Sequence, residues 1–190
     1  MTTVSQDAGP STAPGARMAR TVLWRGLLVL AIAVAGCAPT SDVYRDRDAR
    51  ISATSRFVPD AFSGRWHVVA GYPNAALPLC DHQVWDISED PATLQVTCGT
   101  DRRVVLSAGL KVDPRGVMRV QTADLDRDRY AFWVLWMDEE RRMAVIGTRG
   151  GEMGWVLNRG ATIRADRLAA AQEILEFNGY DTTRLEGQGK

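Results

Sequence analysis

The chain has 190 residues, 45% hydrophobic and 24% charged, which is ordinary for a globular protein and excludes a disordered one. Of 23 basic and 23 acidic residues, three arginines and one aspartate precede Cys37. The remainder is slightly acidic and offers no electrostatic footprint for nucleic acid.

Arg17, Arg20 and Arg25 precede an apolar run over 27–35 that ends in Val34-Ala35-Gly36-Cys37. Charge, apolar core and small residues in that order form a signal peptide over 1–36, and the core is too short to serve as a membrane span. Initiation at Met18 would give a compact signal of ordinary shape, an extended n-region being the alternative. Small residues before Cys37 resemble the bacterial lipoprotein lipobox, in which that Cys becomes the lipidated first residue of the mature protein. An ordinary cleaved signal with an incidental Cys is the competing reading. By resemblance to lipoprotein sorting rules, Ala38 rather than Asp after the Cys implies an outer-membrane anchor of the palmitate class, on the periplasmic side of a Gram-negative cell. Residues 38–61 are polar, with acids and arginines interleaved in Tyr44-Arg45-Asp46-Arg47-Asp48, and lack periodicity. The stretch 37–61 therefore reads as a lipidated N-terminus and flexible tether, with a reach of roughly 80 Å.

Eight short runs rich in β-branched and aromatic residues follow, at 64–72, 81–88, 93–99, 102–112, 117–122, 130–137, 142–148 and 152–159. Turn formers such as Asp113-Pro114-Arg115-Gly116 and Gly150-Gly151 separate most of them. The sixth and seventh runs are apolar on both faces and need two covers. A helix over about 164–178 supplies the second, with Leu168, Ala171, Ile174, Leu175 and Phe177 at helical spacing and Asn178-Gly179 as its stop. The fold class is all-β with one helix: an eight-stranded antiparallel up-and-down barrel plus a C-terminal α-helix over 62–185, with 186–190 a tail.

In a meander the start of strand one and the end of strand eight lie at the same end of the sheet. Trp66 and Arg159 should therefore meet as a cation–π pair closing one mouth. If Trp66 points inward, period two places Val68, Ala70 and Tyr72 on the same face. On the sixth strand one set, Tyr130, Phe132, Val134 and Trp136, lines the interior while the other, Ala131, Trp133, Leu135 and Met137, packs under the helix, or the reverse. The working cavity set is Val68, Ala70, Tyr72, Phe132, Val134 and Trp136. Eight strands can enclose one small ligand, or these rings fill the barrel. The uncharged loop 73–79, with Ala75, Ala76, Leu77 and Leu79, is a lid, a membrane contact or packing for neighbouring loops.

Gly64-x-Trp66, the paired aromatic strands, Trp155-Val156-Leu157-Asn158-Arg159, the C-terminal helix and Gly179-Tyr180-Asp181-Thr182 together resemble the lipocalins, and among them the bacterial outer-membrane lipocalin lipoproteins. The resemblance covers about 62–185 and implies a protein for storage, transport or membrane maintenance. Asn158-Arg159-Gly160-Ala161 stands where the family often has Ser-Arg-Thr-Pro, and the family's Thr-Asp-Tyr motif is blurred in Thr122-Ala123-Asp124. Ligand identity does not carry over. A fatty acid or lysophospholipid is the expected class, and a filled, ligand-free scaffold the alternative.

No catalytic constellation is present. There is no nucleophile elbow, His-Glu-x-x-His or phosphate loop, and the two histidines are His67 and His82. The acidic groups at 124–128 and 138–140 read as solvated turns. Neither enzyme activity, cofactor nor metal is expected; Tyr72, Tyr130 and His82 are the residues an enzymatic reading would have to use.

Lipidation of Cys37 leaves Cys80 and Cys98 in an oxidising compartment, which suggests one disulfide. A turn at Ser88-Glu89-Asp90-Pro91 places them opposite one another across a hairpin, and closing a loop of that size stabilises by about 3 kcal/mol. Thiol labelling of the denatured, unreduced mature chain is expected to find neither Cys80 nor Cys98 free, and full labelling would contradict the bridge.

Overall fold

A computed structural model describes residues 43–122 and 131–187, which belong to the second of two units, Met1–Thr40 and Ser41–Lys190. The signal peptide, Cys37, Tyr130 and the acidic run 124–128 lie outside the described residues. The elements are α1 (Pro59–Phe62), β1 (Gly64–Gly71), β2 (Val84–Glu89), β3 (Ala92–Cys98), β4 (Arg103–Asp113), β5 (Val117–Gln121), β6 (Phe132–Met137), β7 (Met143–Thr148), β8 (Gly154–Asn158), α2 (Ala165–Phe177) and β9 (Glu186–Gly187). All pairings are antiparallel and follow chain order from β2 to β8, then β1. The further pairing of β1 with β2 closes an eight-stranded up-and-down barrel.

One rim of the barrel is a floor. Phe57 and the α1 residue Phe62 are buried with Trp66, and the Phe62 and Trp66 rings stack at 5.1 Å between centroids. The Trp66 indole donates to the Phe62 carbonyl at 2.8 Å, which ties the plug to the first strand. The Arg159 guanidinium lies 3.7 Å from the centre of the Trp66 ring. Its N–H groups donate to the carbonyls of Arg65, Ala61 and Arg141 at 2.9, 3.1 and 3.3 Å. One planar fork thus joins β1, the α1 segment and the β6–β7 turn, a task that its five donors suit.

Two apolar layers follow from the sequence pattern. The inner layer is the barrel core; the outer one lies between α2 and the strands β1, β6, β7 and β8, and includes Val69, Leu135, Val145, Val156, Ala171 and Leu175. α2 ends in a Schellman motif, with Gly179 N–H on the Glu176 carbonyl at 2.8 Å and Tyr180 N–H on that of Leu175 at 3.0 Å. Gly179 takes φ +85°, which a side chain would resist. Phe177, expected on the packed face, is 83% exposed; it falls on the far side of the helix from Ala171 and Leu175.

Three expectations need correction. Residues 43–61 are not a free tether in their described part. Tyr44 N–H bonds the Gly151 carbonyl, Asp46 N–H bonds that of Gly179, and Thr54 N–H bonds that of Val134. Arg45 is 5% exposed and donates to the carbonyls of Asn178, Arg149 and Ala49, so the strap supplies a cation at the C-terminus of α2, whose last turn has none. Nor is the tail wholly free, since Glu186 and Gly187 pair with Gly71 and Ala70. Cys80 and Cys98 do form a disulfide, with Cα atoms 5.8 Å apart, but not as facing strand residues. Glu89 pairs with Ala92 and Val84 with Thr97, so the hairpin is centred on Asp90-Pro91 and Cys80 lies in the preceding loop. That loop folds back so that the Asp81 carbonyl accepts Gly99 N–H at 2.8 Å.

Arg159→Ala is expected to lower stability by about 2 kcal/mol, from the lost cation–π contact and the released carbonyls. Arg159→Lys should recover less than half of that, because an ammonium lacks the planar fork. Urea unfolding midpoints of the three proteins check both values.

Candidate functional site

Strand direction places the β1–β2 loop, the β3–β4 turn and the β7–β8 turn at the rim opposite the floor. The barrel interior under that rim is the candidate site. Its wall can be read from pairing: facing residues of an antiparallel pair share a side of the sheet. Trp66 faces Trp85, Trp85 faces Val96, Val134 faces Ile146, and Val68 faces Leu157, and all of these belong to the inner core.

Two bulges break the alternation on which the expected cavity set depended. The register of β1 against β8 shifts between Val68 and Ala70, so Ala70 faces Val156 on the outer side. Tyr72 follows it outward and stacks on Tyr180 at 5.4 Å and near Tyr44 at 4.7 Å. The register of β6 against β7 shifts between Val134 and Trp136, so Phe132 and Val134 point inward, Trp136 faces Val145 on the outer side, and Met137 turns back to the core. Ala70, Tyr72 and Trp136 are thus misplaced in the cavity set, while Val68, Phe132 and Val134 line the interior. A bulge adds one residue to one strand and inverts every side chain beyond it.

At the heart of the interior are three rings. Trp85 and Trp155 meet edge to face at 4.9 Å, Phe132 and Trp155 likewise at 5.2 Å, and Trp85 and Phe132 lie 5.6 Å apart. Trp85 and Trp155 were not among the expected cavity residues. Polar Asp86 and Ser88 on the alternate positions were the available signal, since they send Trp85 and Ile87 to the dry side. Asp86 indeed pairs on the outside with Arg65 and Arg102, each at 2.8 Å.

The interior is covered by the loop 73–79. Its Asn74 side-chain Oδ1 accepts Ala76 N–H at 2.8 Å and Leu77 N–H at 3.4 Å, and the Nδ2 of the same side chain donates to the Glu152 carbonyl at 2.9 Å. This turn drives Leu77 into the inner core, where it is 1% exposed, and leaves Ala75, Ala76 and Pro78 on the surface. The disulfide holds the far end. The loop thus covers the barrel mouth, with Leu77 packed into the inner core.

Interior electrostatics are simple. The buried charged side chains among the described residues are Arg45, at the end of α2, and Glu152, which Arg47 meets at 3.5 Å; both belong to the strap side. Inside, Gln83 is completely buried and neither atom of its amide has a hydrogen-bond partner; the same is true of the indole N–H groups of Trp85 and Trp155. Burial lowers the His67 pKa, with Arg65 adding to the effect, and pushes the hydroxyl of Tyr180 up to about 12. Tyr72 is raised further still, chiefly by burial. Of the residues an enzyme would use, Tyr72 faces away from the interior and His82 is exposed. No group of three His, Cys, Asp or Glu among the described residues is arranged to hold a metal ion.

Clefts among the described residues also lie elsewhere. One of about 470 Å³ runs beneath the first turn of α2 between Trp136, Arg142 and Asp166. Asp138 at its edge accepts the Arg142 and Met143 N–H groups at 2.6 and 2.7 Å and Arg167 at 2.6 Å, so this carboxylate shapes the β6–β7 turn. The other, about 130 Å³, opens at the floor between Phe57, Phe62, Ile87 and Val112.

Residues 59–189 match the lipocalin-like domain family. The chain belongs to the lipocalin family. No curated protein sequence matches this lipocalin. Among solved structures it is similar to insecticyanin from the tobacco hornworm Manduca sexta, at 14% identity and a TM-score of 0.54, over 74% of this chain and 85% of that one. It is also similar to apocrustacyanin C1, at 14% identity and a TM-score of 0.54 over 74% and 91% of the two chains. Lobster apocrustacyanin A1 gives 13%, 0.51, 75% and 93%. At such identities the likeness concerns the fold. The lipocalin fold supports binding of a small hydrophobic ligand, and its members are generally binding or transport proteins rather than enzymes.

Asn74→Ala is expected to loosen the cover by about 1 kcal/mol, seen as several-fold faster hydrogen exchange at Ala76 and Leu77 with exchange in β7 unchanged. Equal rates in the two proteins would show that the loop is held in place by other contacts.

Proposed function

We propose that this lipocalin is lipid-anchored through Cys37 on the periplasmic face of an outer membrane, and that it binds an amphipathic ligand of the fatty acid or lysophospholipid class for transport, storage or membrane maintenance. The observation that carries the reading is an interior built from Trp85, Phe132, Trp155, Val68 and Val134, without buried charge among the described residues, closed at the floor by Trp66 and Arg159 and covered by the uncharged loop 73–79. An acyl chain entering it gains about 0.8 kcal/mol per methylene removed from water, enough for micromolar affinity once association costs are met. The charged head would stay at the mouth in water. Support for the anchor comes from the order of Arg17, Arg20, Arg25, the apolar run and Gly36-Cys37.

A second reading, a filled scaffold without a ligand, is favoured by the mutual contact of the three interior rings and by Leu77 inserted above them. Native mass spectrometry separates the two. The chain from Ala38 onward, purified from periplasm without detergent, is expected to carry a stoichiometric lipid-like mass that solvent extraction identifies. A clean apo mass, with no change in Trp fluorescence on adding fatty acids or lysophospholipids, would favour the scaffold and its protein partners.

A further inference from the structure

Hydrogen-bonding capacity inside the barrel is left unused in one place. The Val68 N–H donates to the Gln83 carbonyl at 2.9 Å, which sets Gln83 opposite inward-facing Val68 and two residues above Trp85 on the same face. Gln83 is 0% exposed, yet its amide oxygen and nitrogen have no partner, and nor do the indole nitrogens of Trp85 and Trp155, whose rings are in contact. Several buried polar groups elsewhere are satisfied: Trp66 donates to the Phe62 carbonyl, Asn158 to those of Gly160 and Thr162, and Asn178 to that of Ile174. The unpartnered hydroxyls of Tyr72 and Thr97 belong to the outer face. Buried polar groups are ordinarily paired by protein, water or ligand, and leaving them unpaired destabilises the fold.

We propose that Gln83, Trp85 and Trp155 form a polar subsite that selects ligands carrying an uncharged oxygen function, a keto or hydroxyl group, within their buried apolar part. The proposal rests on the ligand-binding reading above and names the feature that reading leaves open. Two indole N–H groups and the amide NH₂ donate, and the amide oxygen alone accepts. A keto oxygen takes donors from this set, and a hydroxyl also gives its proton to the amide oxygen. A saturated chain leaves every member unpaired. Among the described residues a carboxylate at this depth finds no cation to offset its desolvation, so the charged end of the ligand stays outside.

Octadecanoic, 12-oxo-octadecanoic and 12-hydroxyoctadecanoic acids are to be compared, by Trp fluorescence titration, on the full mature chain carrying Cys37→Ser. The oxo and hydroxy acids are expected to bind about tenfold more tightly than octadecanoic acid. Gln83→Leu should bring that ratio close to one while raising the thermal midpoint of the ligand-free protein, a pairing that a purely structural amide would not give. Trp155→Phe should reduce the ratio too and serves if Gln83→Leu does not fold. Equal binding of the three acids would mean that internal water alone satisfies these groups, and would overturn the proposal while leaving the ligand-binding reading intact. Binding of none of them would overturn both.

Discussion

β1 has to serve three partners in eight residues, and the closure of the barrel depends on how it does so. Its lower half pairs with β2, its middle and upper residues with β8, and its upper end with the two-residue β9. A strand with uniform alternation could not hold β2 below and release it above while keeping Trp66 and Val68 inside and Tyr72 outside. The bulge at Val69 resolves this, since the extra residue bends the strand, increases its twist and inverts the face beyond it. The β1–β2 loop is then free to fold over the mouth, and Tyr72 is delivered to the aromatic stack that receives the strap.

The strap answers a second constraint, the negative end of α2. The helix has no basic residue in its last turn to offset its dipole. Arg45, from far upstream, brings a guanidinium to the Asn178 carbonyl at 2.6 Å. Burying that charge costs free energy that only a full set of acceptors offsets, and Arg149 and Ala49 supply the remainder. Tyr44 bonds the Pro73 carbonyl next to it, at 2.6 Å. Helix end, β7–β8 turn and mouth loop are thereby tied to one short segment, so the chain preceding the barrel is coupled to the barrel mouth.

Interior chemistry and interior packing make opposite demands here. Edge-to-face rings around Trp155 bury large apolar areas and favour a dense core. Gln83 among them works against that, since an amide with no partner is a poor substitute for an apolar side chain of equal volume. Cores that retain such groups commonly do so for function.

The sequence by itself determined the class of fold, because strand spacing, turn formers and one helix-period segment agree with each other and admit few topologies. It also determined the Trp66–Arg159 closure, which follows from strand count and direction alone, and it singled out Cys80 and Cys98, the two thiols of the barrel region, as the pair to be bridged. The tertiary structure decided which side chains face inward. Period two is a local rule, and single-residue bulges at Val69 and Leu135 reset it without any local sequence signal, since β-branched and apolar residues stand on both sides of each. It likewise decided that 43–61 is docked: Arg45 is anchored on the backbone carbonyls of distant Asn178 and Arg149, and carbonyls leave no trace in a residue pattern. Gln83 shows the same limit: it falls within the expected run 81–88, but only the register against Val68 places its side chain among the rings.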